Sequence, residues 1–160
     1  LSHIGVSGSF RVARFRNMSS GTRPDWPAIF REASTNSNMS LVFQFGGQGL
    51  NYFEELMAIV NQNTTAVGLF EVVAEELRVL GAGEDVHQEL PRGLELMSWL
   101  RIAPPAEYLE RCAVSFPLIG LTQMLMYHST LKRAGIDPDE ARHVCAGGVG
   151  HSSGVCAAVV

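Results

Sequence analysis

Five residues near the end of the chain have the types and spacing of a nucleophilic serine site. Gly150, His151, Ser152, Ser153 and Gly154 form the pattern Gly-x-Ser-x-Gly. An apolar run precedes this motif and another follows it, which predicts a strand, a sharp turn and a helix. Glycines on both sides leave room for a strained serine backbone, with the hydroxyl exposed at a helix N-terminus. In that context Ser152 is a candidate nucleophile; outside it, the motif is a glycine-rich loop with a chance serine.

A second glycine-rich segment follows an apolar run earlier in the chain. Residues 41–45 lead directly into Gly46-Gly47-Gln48-Gly49. Such a turn can bring backbone N–H groups close to a ligand. It lacks the Lys-Ser/Thr ending of a phosphate-binding loop and the Gly-x-Gly-x-x-Gly spacing of a dinucleotide site. Spacing alone therefore favours a tight strand-to-helix turn.

The elements that must position these two segments follow an α/β order. Apolar runs predict strands, and residues recurring every three or four positions predict helices. The predicted strands cover residues 10–15, 41–45 and 143–149, and the predicted helices cover 25–33, 52–80, a segment from 90, and 116–134, with a short helix start after the turn at 135–139. In the second half of 52–80, the predicted apolar face contains Leu69, Val72, Val73, Leu77 and Leu80. In the helix over 116–134, Pro117 is expected in the first turn, and Gly135 ends the helix.

The polar segment 34–40 is expected to be a linker. It divides the chain into a lead-in of unknown role, residues 1–40, and a second part, residues 41–160. No internal repeat is present in the sequence.

Length and composition are those of one globular domain. The chain has 160 residues, of which 46% are apolar and 18% charged. A net charge of −4 without a Lys/Arg cluster argues against nucleic-acid binding. Three cysteines without metal-like spacing indicate reduced thiols in a cytoplasmic protein and no metal site. No apolar run approaches the roughly 20 residues of a membrane span.

Taken together, the two glycine-rich segments resemble those of acyl-CoA:acyl-carrier-protein transacylases. A narrower resemblance is to the acetyltransferase domain of fungal-type and bacterial type I fatty acid synthases. It is carried by Phe-Gly-Gly-Gln-Gly at 45–49, Tyr-Phe-Glu-Glu-Leu at 52–56, Phe-Pro-Leu-Ile-Gly at 116–120 and residues 148–154. Starter-unit acyltransferase domains of fungal polyketide synthases share this outline. The resemblance covers roughly residues 41–160.

The resemblance implies part of an α/β-hydrolase-like acyltransferase core and a two-step acyl transfer. Ser152 would take the acyl group from acyl-CoA and pass it to the phosphopantetheine thiol of an acyl carrier protein, without a permanently bound cofactor. Backbone N–H groups of Gln48 and Ser153 would form the oxyanion hole, although the family usually has Gln where Ser153 stands. Gly150, His151 and Gly154 would support the turn. The remaining domains of a multifunctional synthase would be the other partners.

The same resemblance implies a general-base histidine downstream of residue 160, because His3, His87, His128 and His143 do not lie in the matching context. The chain begins without methionine and stops inside the helix after the motif. We therefore expect a piece of a longer polypeptide, truncated after the turn and inactive alone. The preferred acyl group cannot be predicted from these residues.

Three alternatives stay open. A starter-unit acyltransferase of a polyketide synthase would use the same residues. A serine hydrolase or esterase would share the motif, although residues 46–49 are not the His-Gly-Gly-Gly type of oxyanion loop. An inactive, non-enzymatic fragment is the third. The sequence downstream of residue 160 would distinguish them. A hydrolase needs an acidic residue and then a histidine there, whereas in an inactive fragment the reading frame ends early.

Overall fold

A small parallel sheet and eight helices build the part of the chain that the computed structural model describes, residues 9–15, 25–37, 39–46, 52–62 and 64–159. In chain order the elements are β1 (Ser9–Phe15), α1 (Trp26–Thr35), β2 (Met39–Phe45), α2 (Tyr52–Gln62), α3 (Thr64–Gly81), α4 (Leu96–Trp99), α5 (Ala106–Leu109), α6 (Cys112–Ala134), α7 (Pro138–Val144), β3 (Cys145–Gly150) and α8 (Gly154–Ala158), with a short 3-10 turn at Glu84–Val86. The protein is thus mixed α/β and mostly helical, and the hydrolase-like part of the expected fold stays a prediction.

The sheet has the order β1-β2-β3, and both pairs of strands are parallel. Strand β2 lies in the middle, and its side chains alternate between buried and half-buried positions, as expected for a strand with one face on a core. Met39, Leu41, Phe43 and Phe45 are the buried side chains. The boundary expected at residue 40 falls inside β2, and residues 9–15 pair with β2 along its whole length.

Helix α6 is the element shared by two apolar cores. Its N-terminal and central part, including Leu118 and Leu125, packs with α2 to α5 in the first core. Its C-terminal residues, including Leu131, pack with the sheet, α1, α7 and α8 in the second. Gly135 ends the helix in the left-handed conformation, at a φ of 71°, as predicted.

The start of α6 differs from the prediction. The helix begins at Cys112, one turn before the expected start at Phe116, so Pro117 lies inside the helix and not in its first turn. Proline has no N–H to donate to the carbonyl four residues earlier, that of Ala113. The cost is tolerated here because the α6 residues on either side of Pro117, among them Val114 and Leu118, are buried in the first core.

Two other helix predictions were partly wrong. The single helical pattern over 52–80 is divided into two helices, α2 and α3. The buried apolar side chains of α3 are Ala66, Phe70 and Ala74. Val72 and Leu80, in contrast, are 64% and 67% exposed. The helix expected from residue 90 is reduced to α4. A glycine with a φ of +61°, Gly93, interrupts that segment, and its carbonyl accepts a hydrogen bond of 2.7 Å from the Tyr108 hydroxyl.

Among the helices of the described residues, none has the length and hydropathy needed to cross a membrane.

Candidate active site

Ser152 lies at a strained turn between β3 and α8, so the predicted strand, turn and helix are present. Its φ is +55°, and within the described ranges it is the one residue other than glycine with a positive φ. A side chain in this left-handed region costs of the order of 1–3 kcal/mol, and such residues cluster at functional sites. The residue is exposed. A strained, accessible serine is the geometry that a nucleophile at this motif requires.

The two glycines of the motif are sterically required. A Cβ on Gly150 would overlap the backbone of Gly154 and Val155. A Cβ on Gly154 would lie 2.8 Å from the carbonyl carbon of Phe45 and closer still to the carbonyl oxygens of Phe45 and Gly46. The turn is therefore packed against both the start of α8 and the end of β2.

The parallel sheet brings the two glycine-rich segments to the same edge. Phe45, the last residue of β2, is in register with Gly150, the last residue of β3. The N–H of His151 donates a hydrogen bond of 3.2 Å to the Phe45 carbonyl. Ligand sites of parallel sheets form where strands end in this way. Gln48, the other expected oxyanion-hole residue, lies outside the described residues.

Ser153 has two polar groups without partners in the described part of the chain. Its backbone N–H makes no hydrogen bond to a backbone acceptor there, and it is thus available as a donor at the turn. Its side chain is only 7% exposed, and its Oγ has no hydrogen-bond partner. An unsatisfied buried polar group costs about 1–3 kcal/mol.

His151 contributes to the turn through its backbone. Its carbonyl accepts a hydrogen bond of 3.0 Å from the Gly154 N–H, while its side chain is exposed. Of the other histidines, His87 and His143 are exposed and His128 is half-buried on α6. No group of three or more potential metal ligands occurs among the described residues.

Of the two cysteines near the turn, Cys145 is a poor competitor for Ser152. Burial raises the pKa of the Cys145 thiol, and a hydrogen bond with the Gly147 backbone lowers it by less. The nucleophilic form of cysteine is the thiolate. Cys145 is therefore held as a neutral thiol, with Sγ 3.4 Å from the Gly147 oxygen. Cys156 is exposed on α8.

Gln123 is a site residue that the sequence analysis missed. It lies on α6, is 4% exposed, and its Nε2 donates a hydrogen bond of 2.6 Å to the carbonyl of Gly46. Gly46 is the first residue after β2. The one signal in the sequence is that a polar amide occurs within the apolar segment 118–125.

Tyr52 anchors the beginning of α2, six residues after Gly46. Its hydroxyl donates a hydrogen bond of 2.6 Å to the Leu109 carbonyl, and burial raises its pKa to about 12. The fold therefore favours the neutral phenol. The resulting stabilisation is present below the ordinary pKa of 10.0 and is lost as pH rises through about 12.

We expect a Tyr52→Phe variant to be less stable than wild type at neutral pH, by about 0.5–1.5 kcal/mol for the lost hydrogen bond. The difference in unfolding free energy should shrink between pH 10 and 12, because only the wild-type protein has the Tyr52 phenol. Parallel unfolding curves of the two proteins across this range measure it. A difference that does not change with pH would contradict the assignment.

The fold and the turn define a mixed α/β protein with a strained serine between a parallel strand and a helix. No protein-family model matches the chain. The chain is 37% identical over 139 residues to the fatty acid synthase subunit beta of Saccharomyces cerevisiae, an alignment covering 82% of this chain and 7% of the relative. The same subunit of Schizosaccharomyces pombe is 33% identical over 125 residues, 76% of this chain and 6% of the relative.

A third relative is the fatty acid synthase beta subunit aflB of Emericella nidulans, 31% identical over 153 residues, which are 90% of this chain and 7% of that protein. The chain belongs to the fungal fatty acid synthase beta-subunit family, as a homologue of one segment of these proteins. It spans 6–7% of the length of the relatives named here.

Proposed function

We propose that this chain forms part of an acyltransferase that works in fatty acid biosynthesis through an acyl-serine intermediate. The observation that carries the proposal is the Ser152 backbone, held at a φ of +55° between two sterically required glycines. Similarity to fatty acid synthase beta subunits supports the pathway. Acyl-CoA is the proposed donor, and the phosphopantetheine thiol of an acyl carrier protein is the proposed acceptor.

The reaction divides into two balanced substitutions. The Oγ of Ser152 attacks the thioester carbonyl carbon, its proton passes to a histidine base, and the C–S bond breaks to release coenzyme A as a thiol. The carrier thiol then attacks the acyl-serine ester, and Ser152 regains its proton. The nucleophile returns unchanged, so no permanently bound cofactor is needed.

Both substitutions pass through a tetrahedral oxyanion, and the N–H of Ser153 is one proposed donor to it. It directly follows the nucleophile, where the oxyanion hole of such turns is found. The second proposed donor is the N–H of Gln48. The packing of Gly154 against Phe45 and Gly46 supports this pairing, because it joins the turn of Ser152 to the segment that contains Gln48.

Covalent labelling tests the proposal. The full-length protein that contains this chain is incubated with radiolabelled acetyl-CoA, digested, and mapped by mass spectrometry. We expect the label as an ester on Ser152. Neutral hydroxylamine cleaves a thioester readily and an oxygen ester slowly, so it separates Ser152 from Cys156 as the labelled residue. A label on cysteine, or none with any acyl-CoA, would overturn the proposal.

The role of the Gln48 N–H predicts unequal effects of two substitutions. Gln48→Pro removes the backbone donor, and we expect acylation to slow by about 10²–10³-fold. Gln48→Ala keeps the N–H, and we expect a milder loss. Rates of acyl-enzyme formation measure both, with circular dichroism and thermal unfolding as the check on folding. Equal rates in two folded variants would exclude this donor.

A further inference from the structure

The side-chain amide of Gln123 joins helix α6 to Gly46, the first residue of the glycine-rich segment 46–49. The contact between Nε2 and the Gly46 oxygen is short, 2.6 Å, and the amide is buried at 4% exposure. Its orientation is fixed by chemistry, since a carbonyl only accepts hydrogen bonds and so faces the NH2 group. The Oε1 atom has no hydrogen-bond partner within the described part of the chain. Within the described residues, the amide therefore acts as a hydrogen-bond donor only.

The carbonyl that Gln123 holds also borders the serine turn. A Cβ on Gly154 would overlap this same Gly46 oxygen. One carbonyl group is thus in contact with α6 on one side and with the first residue of α8 on the other. Any shift of Gly46 changes the spacing between the turn of Ser152 and the segment that leads to Gln48.

We propose that Gln123 is a positioning residue for acyl transfer, which holds Gly46, the first residue after β2, in place beside the turn of Ser152. The proposal rests on the acyltransferase function proposed above. Gln123 touches neither substrate nor the reacting atoms; it acts through Gly46.

Gly46 needs such an anchor because glycine, without a Cβ, has many accessible backbone conformations. The peptide bond after Gly46 is planar, so holding its carbonyl oxygen restricts the path of the chain into the turn. Helix α6 also contacts Tyr52, the first residue of α2. The Oγ1 of Thr122 donates a hydrogen bond of 2.7 Å to the Leu118 carbonyl oxygen and lies 3.5 Å from the Tyr52 carbonyl oxygen.

Two substitutions with different effects on packing test the role. Gln123→Met fills the same volume without a donor, and Gln123→Asn keeps the amide but is one methylene too short to reach Gly46. The variants share only the loss of the hydrogen bond. In the full-length protein we expect both to lower the rate constant of single-turnover acylation by about 10²-fold, the effect of a displacement of about 1 Å at an active site. The half-saturating acyl-CoA concentration should stay near the wild-type value.

The rate constant and the amplitude of labelling separate positioning from a merely structural role. Loss of folded protein lowers the amplitude, whereas a misplaced turn slows the remaining folded molecules. Ser129→Ala is the matched control, because Ser129 is a buried polar residue on α6 that is not at the turn and whose Oγ has no hydrogen-bond partner among the described residues. It should keep the wild-type rate constant.

Each result is decisive. If either Gln123 variant acylates with the wild-type rate constant, the positioning role is wrong, even if the amplitude falls. If one variant fails to fold, the other still decides. Absence of a Ser152 ester in the wild-type protein overturns the proposed function itself, whereas a labelled wild type with unaffected variants overturns only the role of Gln123.

Discussion

Replacing Ser152 with alanine in the full-length protein is expected to abolish the acyl-enzyme and to slow acyl transfer by at least about 10⁴-fold, in line with the loss of other serine nucleophiles. The reason is that the strained position at a φ of +55° presents this one hydroxyl at the turn. The neighbouring Ser153 has a buried Oγ and cannot replace it. Labelling with radioactive acetyl-CoA and a coupled transfer assay measure the two effects.

A cysteine variant is the control for this experiment. Cys156 lies on α8, four residues after the nucleophile, and is exposed. Cys156→Ala should retain both labelling and transfer, which shows that a substitution in this helix does not by itself disturb the turn. Wild-type labelling of Ser152→Ala, or loss of labelling in Cys156→Ala alone, would assign the nucleophile to another residue.

Local chemistry explains which parts of the fold the sequence predicts. Gly135 adopts the left-handed conformation that ends α6, because glycine enters it without a Cβ clash. Asp137 accepts from the Glu140 N–H at 2.8 Å and begins α7. The turn of Ser152 can also be predicted from local chemistry, because a strand that turns this sharply into a helix needs glycine at both positions.

The face of α3 shows where periodicity fails. A hydrophobic pattern gives weight to large apolar side chains. It predicted that Val72 and Leu80 lie on the buried face, but both are exposed. The observed buried face instead contains Ala66 and Ala74 beside Phe70, since small residues let a helix approach its neighbours closely. Packing against α6 decides the face, and a single sequence does not contain that information.

Gln123 was missed for a related reason. Its partner Gly46 is 77 residues away in the chain, and no local pattern links them. Ser152 and its two glycines could be predicted because their spacing encodes a steric requirement within five residues. A contact made by parallel-sheet topology and a packed helix is encoded only in the complete fold.

The second large effect is expected from Gly154→Ala. The new methyl group would lie 2.8 Å from the Phe45 carbonyl carbon and overlap two carbonyl oxygens, all of them backbone atoms that cannot rotate away. We expect a local destabilisation of about 3 kcal/mol, the upper part of the usual range for overpacking, as α8 separates from the end of β2. Hydrogen exchange of peptides covering residues 39–46 and 145–159 in the full-length protein measures this opening. Acylation should be lost with it, because both proposed oxyanion donors depend on that contact.

Gly68→Ala is the matched control for this experiment, since it makes the same chemical change where space is open. Gly68 lies in α3, is exposed, and nothing is within 4 Å of the position of a Cβ. Alanine there should stabilise α3 by about 0.5–1 kcal/mol, because it restricts the unfolded backbone more than glycine does. Hydrogen exchange at β2, β3 and α8 should stay unchanged in this variant. If Gly154→Ala exchanged no faster than wild type in those peptides, the close approach of α8 to the end of β2 would be wrong, and with it the joining of the two glycine-rich segments into one site.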